Sequence, residues 1–215
     1  MGNNDREEAD YVARTIRDAV ASGEYKYNDF AILMRLTAPS RLFEEYMLNY
    51  NLPYKMLGGF RFFERVEIKG VVGYIRALVN PRDNDSILRI LNYPKRGIGE
   101  STVEQVKLFA NGGSILDVIL NLEKYSFTNA VSNKLNNFRN LYLDLLTKSS
   151  DMPIGEFADY LVDAVGFKTA FDTDDIEDIN RLQNINEFIN SVKEFEQNNK
   201  DATLSSYLES ITLVS

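Results

Sequence analysis

The chain has 215 residues, 44% of them hydrophobic and 26% charged, with 24 Lys and Arg against 32 Asp and Glu for a formal net charge of −8. It contains no cysteine and no histidine, which excludes disulfides, thiolate chemistry, and both the usual general base and the commonest zinc ligand. No apolar run approaches the roughly 18 residues of a membrane span and the N-terminus does not read as a signal peptide, so the expectation is a soluble, cytoplasmic protein of one or two domains.

The elements follow from periodicity. Residues 5–21 place Ala9, Val12, Ala13, Ile16, Ala19 and Val20 at helical spacing, and Gly23 follows as a stop. Phe30-Ala31-Ile32-Leu33-Met34 is a short continuous apolar run, the pattern of a buried parallel strand. It ends on Arg35, and the C-terminal end of such a strand is where α/β sheets place ligand chemistry. A helix over 39–50 buries Leu42, Phe43, Tyr46, Met47 and Tyr50, and a second strand is expected over 53–57, ending at Gly58-Gly59. Strand, helix, strand is a βαβ unit. Beyond it, helices are expected over 64–78, 85–91, 102–110, 114–122, 129–147, 154–165, 179–198 and 204–213, separated by polar connectors. The fold class is therefore mixed and mostly α: a partial α/β segment over 1–124 and an all-helical domain over 125–215.

Charge is distributed unevenly. Residues 35–107 carry twelve Lys and Arg against eight Asp and Glu, a local +4, whereas residues 125–215 carry seven against fifteen, a local −8. A polyanion would bind the first half. Within it, Asn92 to Glu104 stands out. Pro94 stops the preceding helix, Lys95 and Arg96 lead into Gly97-Ile98-Gly99, and Ser101 with Glu104 has the spacing of a capping box opening the next helix. Cations, glycines and a helix N-terminus can form a phosphate cradle. The same residues also suit a plain helix–turn–helix corner with solvated cations. Phe60-Arg61-Phe62-Phe63 could stack bases or pack in the core, and Asp172-Thr173-Asp174-Asp175 lacks the glycine and terminal Glu of a calcium loop and reads as a solvated acidic turn.

Several segments in order resemble one family. They are Ala31–Arg35 with Ser40-Arg41 and Glu44-Glu45, then Gly58–Arg65 with Glu67-Ile68-Lys69, then Asn92–Gly99, and finally Arg181-x-x-Asn184-Ile185-x-Glu187-Phe188. The set resembles the UvrD/PcrA/Rep group of superfamily 1 DNA helicases over essentially the whole chain. The resemblance implies the first segment of RecA-like domain 2A followed by helical domain 2B, without domains 1A, 1B and the rest of 2A. No glycine of the chain opens a Gly-x-x-x-x-Gly-Lys-[Ser/Thr] loop. ATP and Mg2+ are thus implied for a full-length 3′-to-5′ helicase acting in repair or replication, and none is expected to be bound by this piece alone.

The resemblance assigns Arg35 to the arginine that reaches the γ-phosphate, with Met34 standing where the family has a tyrosine over the adenine. It implies DNA-backbone contacts at Lys95, Arg96, Gly97, Ile98, Gly99, Thr102 and Lys107 near a single-stranded/double-stranded junction. A second set is implied at Lys134, Arg139, Gly166, Lys168 and Thr169. Repair proteins are further implied partners, and no membrane is. The acidity of the second half supports a rival reading, an acidic helical protein-interaction module with no DNA binding of its own.

Overall fold

The computed structural model describes residues 5–34, 39–57 and 59–212. Its elements begin with α1 (Asp5–Ala21) and α2 (Ser40–Asn49), continue through a 3-10 turn at Phe62–Glu64, and then run through α3 (Val66–Val79), α4 (Asn84–Leu91), α5 (Glu100–Ala110) and α6 (Ile115–Leu120). They finish with α7 (Asn129–Asp151), α8 (Ile154–Val165), the short α9 (Phe167–Ala170), α10 (Ile176–Asn198) and α11 (Leu204–Thr212). Side-chain caps fix several starts: Asp83 accepts from the Ser86 N–H, Thr128 from Val131, and Asp175 from both Glu177 and Asp178. The acidic turn before α10 is therefore a helix cap, whose carboxylate satisfies amides that the helix itself leaves free. Among the described residues no group of carboxylates could hold a metal ion, and no helix is long and apolar enough to cross a membrane.

α3 organises the packing. Ten of its fourteen residues are buried, including Ile68, Val71, Tyr74 and Ile75, as expected for a helix apolar on nearly every side. It packs against α4, α7, α10 and α11. Gly70 and Gly73 let neighbours approach closely: a Cβ on Gly70 would lie 2.3 Å from Tyr93 Cε1, and one on Gly73 would lie 2.9 Å from Ile90 Cγ2. One hydrophobic core runs without interruption from Phe62 to Ile211, crossing the expected boundary at residues 124–125. A second, smaller core joins Ala13, Ile16, Met47 and Leu52, with Phe30, Ile32 and Tyr54 on its margin.

The mostly helical character is as expected, but the α/β segment is not seen. Among the described residues neither 30–34 nor 53–57 forms a strand. Both are irregular, and no ladder hydrogen bond joins them. A continuous apolar run supplies only half of what a parallel strand requires; the other half is a neighbouring strand in register, and none of the described segments provides one. Phe30 and Ile32 still lie against the small core, whereas Ala31 is exposed and Leu33 is 93% exposed. The alternation of a pleat is present, with only one face covered.

Candidate nucleic-acid interface and the polar clasp behind it

The turn after α4 is built around Asn92 and Arg96. The Asn92 carboxamide oxygen accepts from the backbone N–H of Arg96 at 2.7 Å and of Ile98 at 3.1 Å, closing the loop on itself. The Tyr74 hydroxyl donates to the carbonyls of Tyr93 and Ile90, fixing the point where the chain leaves the helix. Tyr93 and Pro94 are joined by a cis peptide. Ile98 is 1% exposed and plugs the underside of the turn, and Gly97 takes the left-handed conformation (φ +71°) that a side chain would disfavour.

Arg96 does not project into solvent. Its guanidinium donates to the carbonyls of Pro94 (3.0 Å), Ile90 (3.3 Å) and Val165 (3.0 Å), and it lies over the Tyr74 ring. Val165 ends α8, so the cation satisfies a terminal carbonyl at the negative end of a helix. Lys134 on α7 reaches the other side of the loop and donates to the Gly97 carbonyl at 2.7 Å. The turn is thereby tied to α7 and to the α8–α9 corner at Gly166 (φ +87°). Lys95 is exposed on its rim, and among the described residues neither Lys95 nor Lys134 has a carboxylate partner.

The remaining sequence-derived positions are less available. Thr102 is buried. Lys107 pairs with Glu104 at 2.8 Å, and Lys168 with Asp163 at 2.6 Å. Arg139 lies 3.9 Å from Glu123, and the Thr169 hydroxyl donates to the Gly166 carbonyl. The expected capping box is not formed: α5 starts at Glu100, and the Gly99 carbonyl accepts from the N–H groups of Thr102 and Val103. Glu104 binds Lys107 instead. In the Phe60–Phe63 run, Phe62 is core at 1% exposure with Phe63 edge-on to it, while Phe60 is 68% exposed. Met34 is partly exposed and lines a cleft of about 730 Å³ together with Met47, Leu52 and Tyr54. Arg35, assigned to the γ-phosphate, lies outside the described residues.

Behind these surfaces is a network whose members stand in the sequence as separate motifs. Arg65, 7% exposed, donates to Ser40 Oγ (2.6 Å) and to Asn184 Oδ1 (2.8 Å). Ser40 donates to Glu44 (2.9 Å), whose carboxylate also accepts from the Phe62 N–H. Asn184 donates to Glu67 at 2.6 Å. Burial pushes the Glu44 carboxyl above the usual carboxylate range, against the pull of its hydrogen bonds from Ser40 and Phe62 and of nearby Arg65. Alongside, Arg41 holds Glu187 (2.7 Å), Glu45 (3.0 Å) and Glu194 (3.3 Å), and Arg6 also pairs with Glu194. Three stretches far apart in sequence, from α2, from the 62–65 turn with the start of α3, and from α10, thus meet on one set of hydrogen bonds. They are among the stretches whose order and spacing carry the family resemblance, the Asn92–Gly99 turn standing outside the clasp.

The chain matches the UvrD-like helicase C-terminal domain family over residues 1–215. It belongs to that family. Similar proteins include the ATP-dependent DNA helicase PcrA of Bacillus subtilis, 34% identical over 216 residues, covering 99% of this chain and 29% of that protein. The PcrA proteins of Staphylococcus epidermidis (strain RP62A) and Staphylococcus aureus (strain Mu50) are each 34% identical over 215 residues, covering 98% of this chain and 29% of theirs. The chain therefore spans less than a third of the length of these relatives. In this chain Ser40, Arg65 and Asn184, far apart in sequence, are joined through the buried clasp, with Arg65 donating to both of the others.

Proposed function

We propose that this chain is part of an ATP-dependent DNA helicase, in which residues up to 57 form one wall of the nucleotide cleft and the helical body from Phe62 onward holds DNA. The single observation carrying the reading is the clasp: the family's scattered motif residues meet where α2, which follows the phosphate-contacting segment in sequence, joins α10 of the helical body. Arg35 stabilises charge on the transferring phosphoryl oxygens with its planar, permanently charged fork, and Met34 covers the base. The chain has no phosphate loop and, among its described residues, no carboxylate group suited to Mg2+. Domains 1A, 1B and the remainder of 2A supply both, so the chain alone does not hydrolyse ATP.

We read the small core as the 2A portion and the large core as the 2B portion, a reading that would put the division nearer residue 60 than the 124–125 boundary expected from sequence. The exposed face at Ala31 and Leu33 belongs under the rest of the 2A sheet. Lys95, the Gly97 turn and Lys134 hold the phosphate backbone near a duplex junction, contacts that position the strand without reading its sequence. Movement is 3′ to 5′, and the setting is repair or replication.

The test is DNA-stimulated ATP hydrolysis by the parent protein. Arg35→Ala is expected to lower kcat on the order of 10³-fold, the usual contribution of such an arginine. Lys95→Ala and Lys134→Ala should leave kcat at saturating DNA intact while making duplex affinity less salt-dependent, by roughly 0.9 in the log–log slope for each phosphate no longer neutralised. Wild-type turnover in Arg35→Ala refutes the cleft assignment. An unchanged slope refutes the DNA surface and favours the acidic interaction module.

A further inference from the structure

Arg96 places a permanent positive charge in the middle of the proposed DNA surface, yet its guanidinium is spent on carbonyls. Nη1 donates to Pro94 at 3.0 Å and to Ile90 at 3.3 Å, both within its own corner. Nη2 crosses to Val165, 69 residues on, at 3.0 Å. The guanidinium carbon also lies over the Tyr74 ring, 5.7 Å from its centroid. A rigid planar fork of five donors can serve carbonyls on two sides at once, whereas a single ammonium cannot. Asn92 meanwhile closes the turn on itself through the Arg96 and Ile98 amides. The turn is thus one unit, and the Arg96 side chain ties that unit to the end of α8.

The chain neighbours of Arg96 carry the cations that remain available. Lys95 precedes it and is exposed. Gly97 follows it, and its carbonyl accepts from Lys134 Nζ at 2.7 Å. The Lys134 stem lies along Gly97, where a Cβ would sit 3.5 Å from Cε. Val165 is buried and leads directly into the α8–α9 corner at Gly166. The two groups of DNA contacts that the sequence sets apart, one around Lys95 and one at Lys134 and Gly166, therefore adjoin across a single side chain. Resting on the function proposed above, we infer that Arg96 is a positioning residue and not a phosphate contact: it clamps the turn to α8 and so holds Lys95 and Lys134 in one phosphate-facing register. Without the fork the turn is released from α8, the Gly97 carbonyl shifts with it, and Lys134 loses its seat beside Lys95.

The experiment measures the salt dependence of binding by the parent protein to a fluorescent duplex of arbitrary sequence with a single-stranded tail. Arg96→Lys and Arg96→Gln are compared, each alone and combined with Lys95→Ala and Lys134→Ala, at a temperature where circular dichroism shows the parental helix content. Arg96→Lys keeps the charge but not the fork. It is expected to flatten the slope of log K against log salt by about 0.9 to 1.8, as for one or two phosphates no longer neutralised. Arg96→Gln should flatten it equally, although it also removes the charge. In the Lys95→Ala, Lys134→Ala background neither substitution should flatten it further, because Arg96 acts through those lysines. A slope retained in Arg96→Lys overturns the inference, and this variant decides alone if Arg96→Gln does not fold. If Arg96→Gln then loses about 0.9 in both backgrounds, Arg96 is itself a phosphate contact and the DNA surface stands. If both Arg96 variants keep the parental slope, the residue serves the fold only, which overturns the inference as well. An unchanged slope on removing Lys95 and Lys134 together overturns the DNA surface and the inference with it.

Discussion

Gly70 gives the sharpest test of how the fold supports the turn. A Cβ there would fall 2.3 Å from Tyr93 Cε1, 2.6 Å from Cδ1 and 3.3 Å from Phe167 Cζ, against an ordinary carbon contact of about 3.5–4.0 Å. The Tyr93 ring must therefore retreat by more than an ångström. It backs onto Phe167, edge-on at 5.6 Å between centroids, and Phe167 is itself fully buried against Tyr74 and Phe171. Overpacking of this kind costs about 1–3 kcal/mol, while replacing a helical glycine by alanine returns about 0.5–1 kcal/mol. Gly70→Ala should thus destabilise the chain by about 1–2 kcal/mol, lowering Tm by about 2–4 °C for each kcal/mol in a protein of this size. Thermal and urea unfolding followed by circular dichroism will read it. The decisive control is a double-mutant cycle with Tyr93→Ala. With the ring gone, Gly70→Ala should become neutral or stabilising through helix propensity alone. An undiminished cost in the Tyr93→Ala background refutes the steric argument.

Two further outcomes follow from buried charge. Arg41 has a side chain only 10% exposed and serves three carboxylates that are 20–28% exposed. Removing one partner of a buried ion cluster costs about 3–5 kcal/mol; since the carboxylates can partly hydrate and Arg6 remains beside two of them, Arg41→Met should fall at the lower end, read as a drop in the urea midpoint at unchanged m-value. A midpoint within error of the parent sequence would show that the cluster contributes nothing net. Burial raises the Tyr93 phenol from 10.0 to about 12. The folded state thus holds this proton more tightly than the unfolded chain, and the associated stability, complete below pH 10, disappears as pH rises through 12. Tyr93→Phe should lose less stability than the parent between pH 10 and 12, and parallel alkaline unfolding curves would rule this contribution out.

Much of the helical body is legible in sequence because the signals are local. Periodicity marks α1, α4, α7 and α8, and Asp83, Thr128 and Asp175 cap helices through amides two or three residues away. Where the determinant is distant, local reading fails. The Ser101–Glu104 spacing promises a capping box, but the extended Gly99 already occupies the cap position and Glu104 finds Lys107 first. The 30–34 run has the composition of a strand, and none of the described residues supplies the neighbour that would make it one. Arg96 reads as a phosphate-facing cation, yet its partner is the Val165 carbonyl 69 residues on. Asn92 closes the turn by accepting two backbone N–H groups, and its only sequence signal is an asparagine just before a turn. Arg65, Asn184 and Glu67 are visible as motif members, but their mutual pairing becomes apparent only when α3 and α10 are packed side by side.

The stretch over residues 35–107, with its local excess of +4, does not offer all of its cations to a polyanion. Of its cations, Arg41 and Arg65 are buried in the clasp and Arg96 is held by three carbonyls, while Lys107 is neutralised by Glu104. Across the wider surface, Lys168 and Arg139 likewise face carboxylates. What remains at the turn is Lys95 with Lys134, supported by the backbone around Gly97. Two or three phosphate contacts from such a patch give a log–log salt slope of only about −2 to −3 on duplex DNA. On the function proposed above, a body gripping DNA this lightly would orient the duplex, and firm hold on the strand would come from the domains that complete the cleft. A slope much steeper than that for this chain would place the DNA surface somewhere other than the Asn92–Gly99 turn.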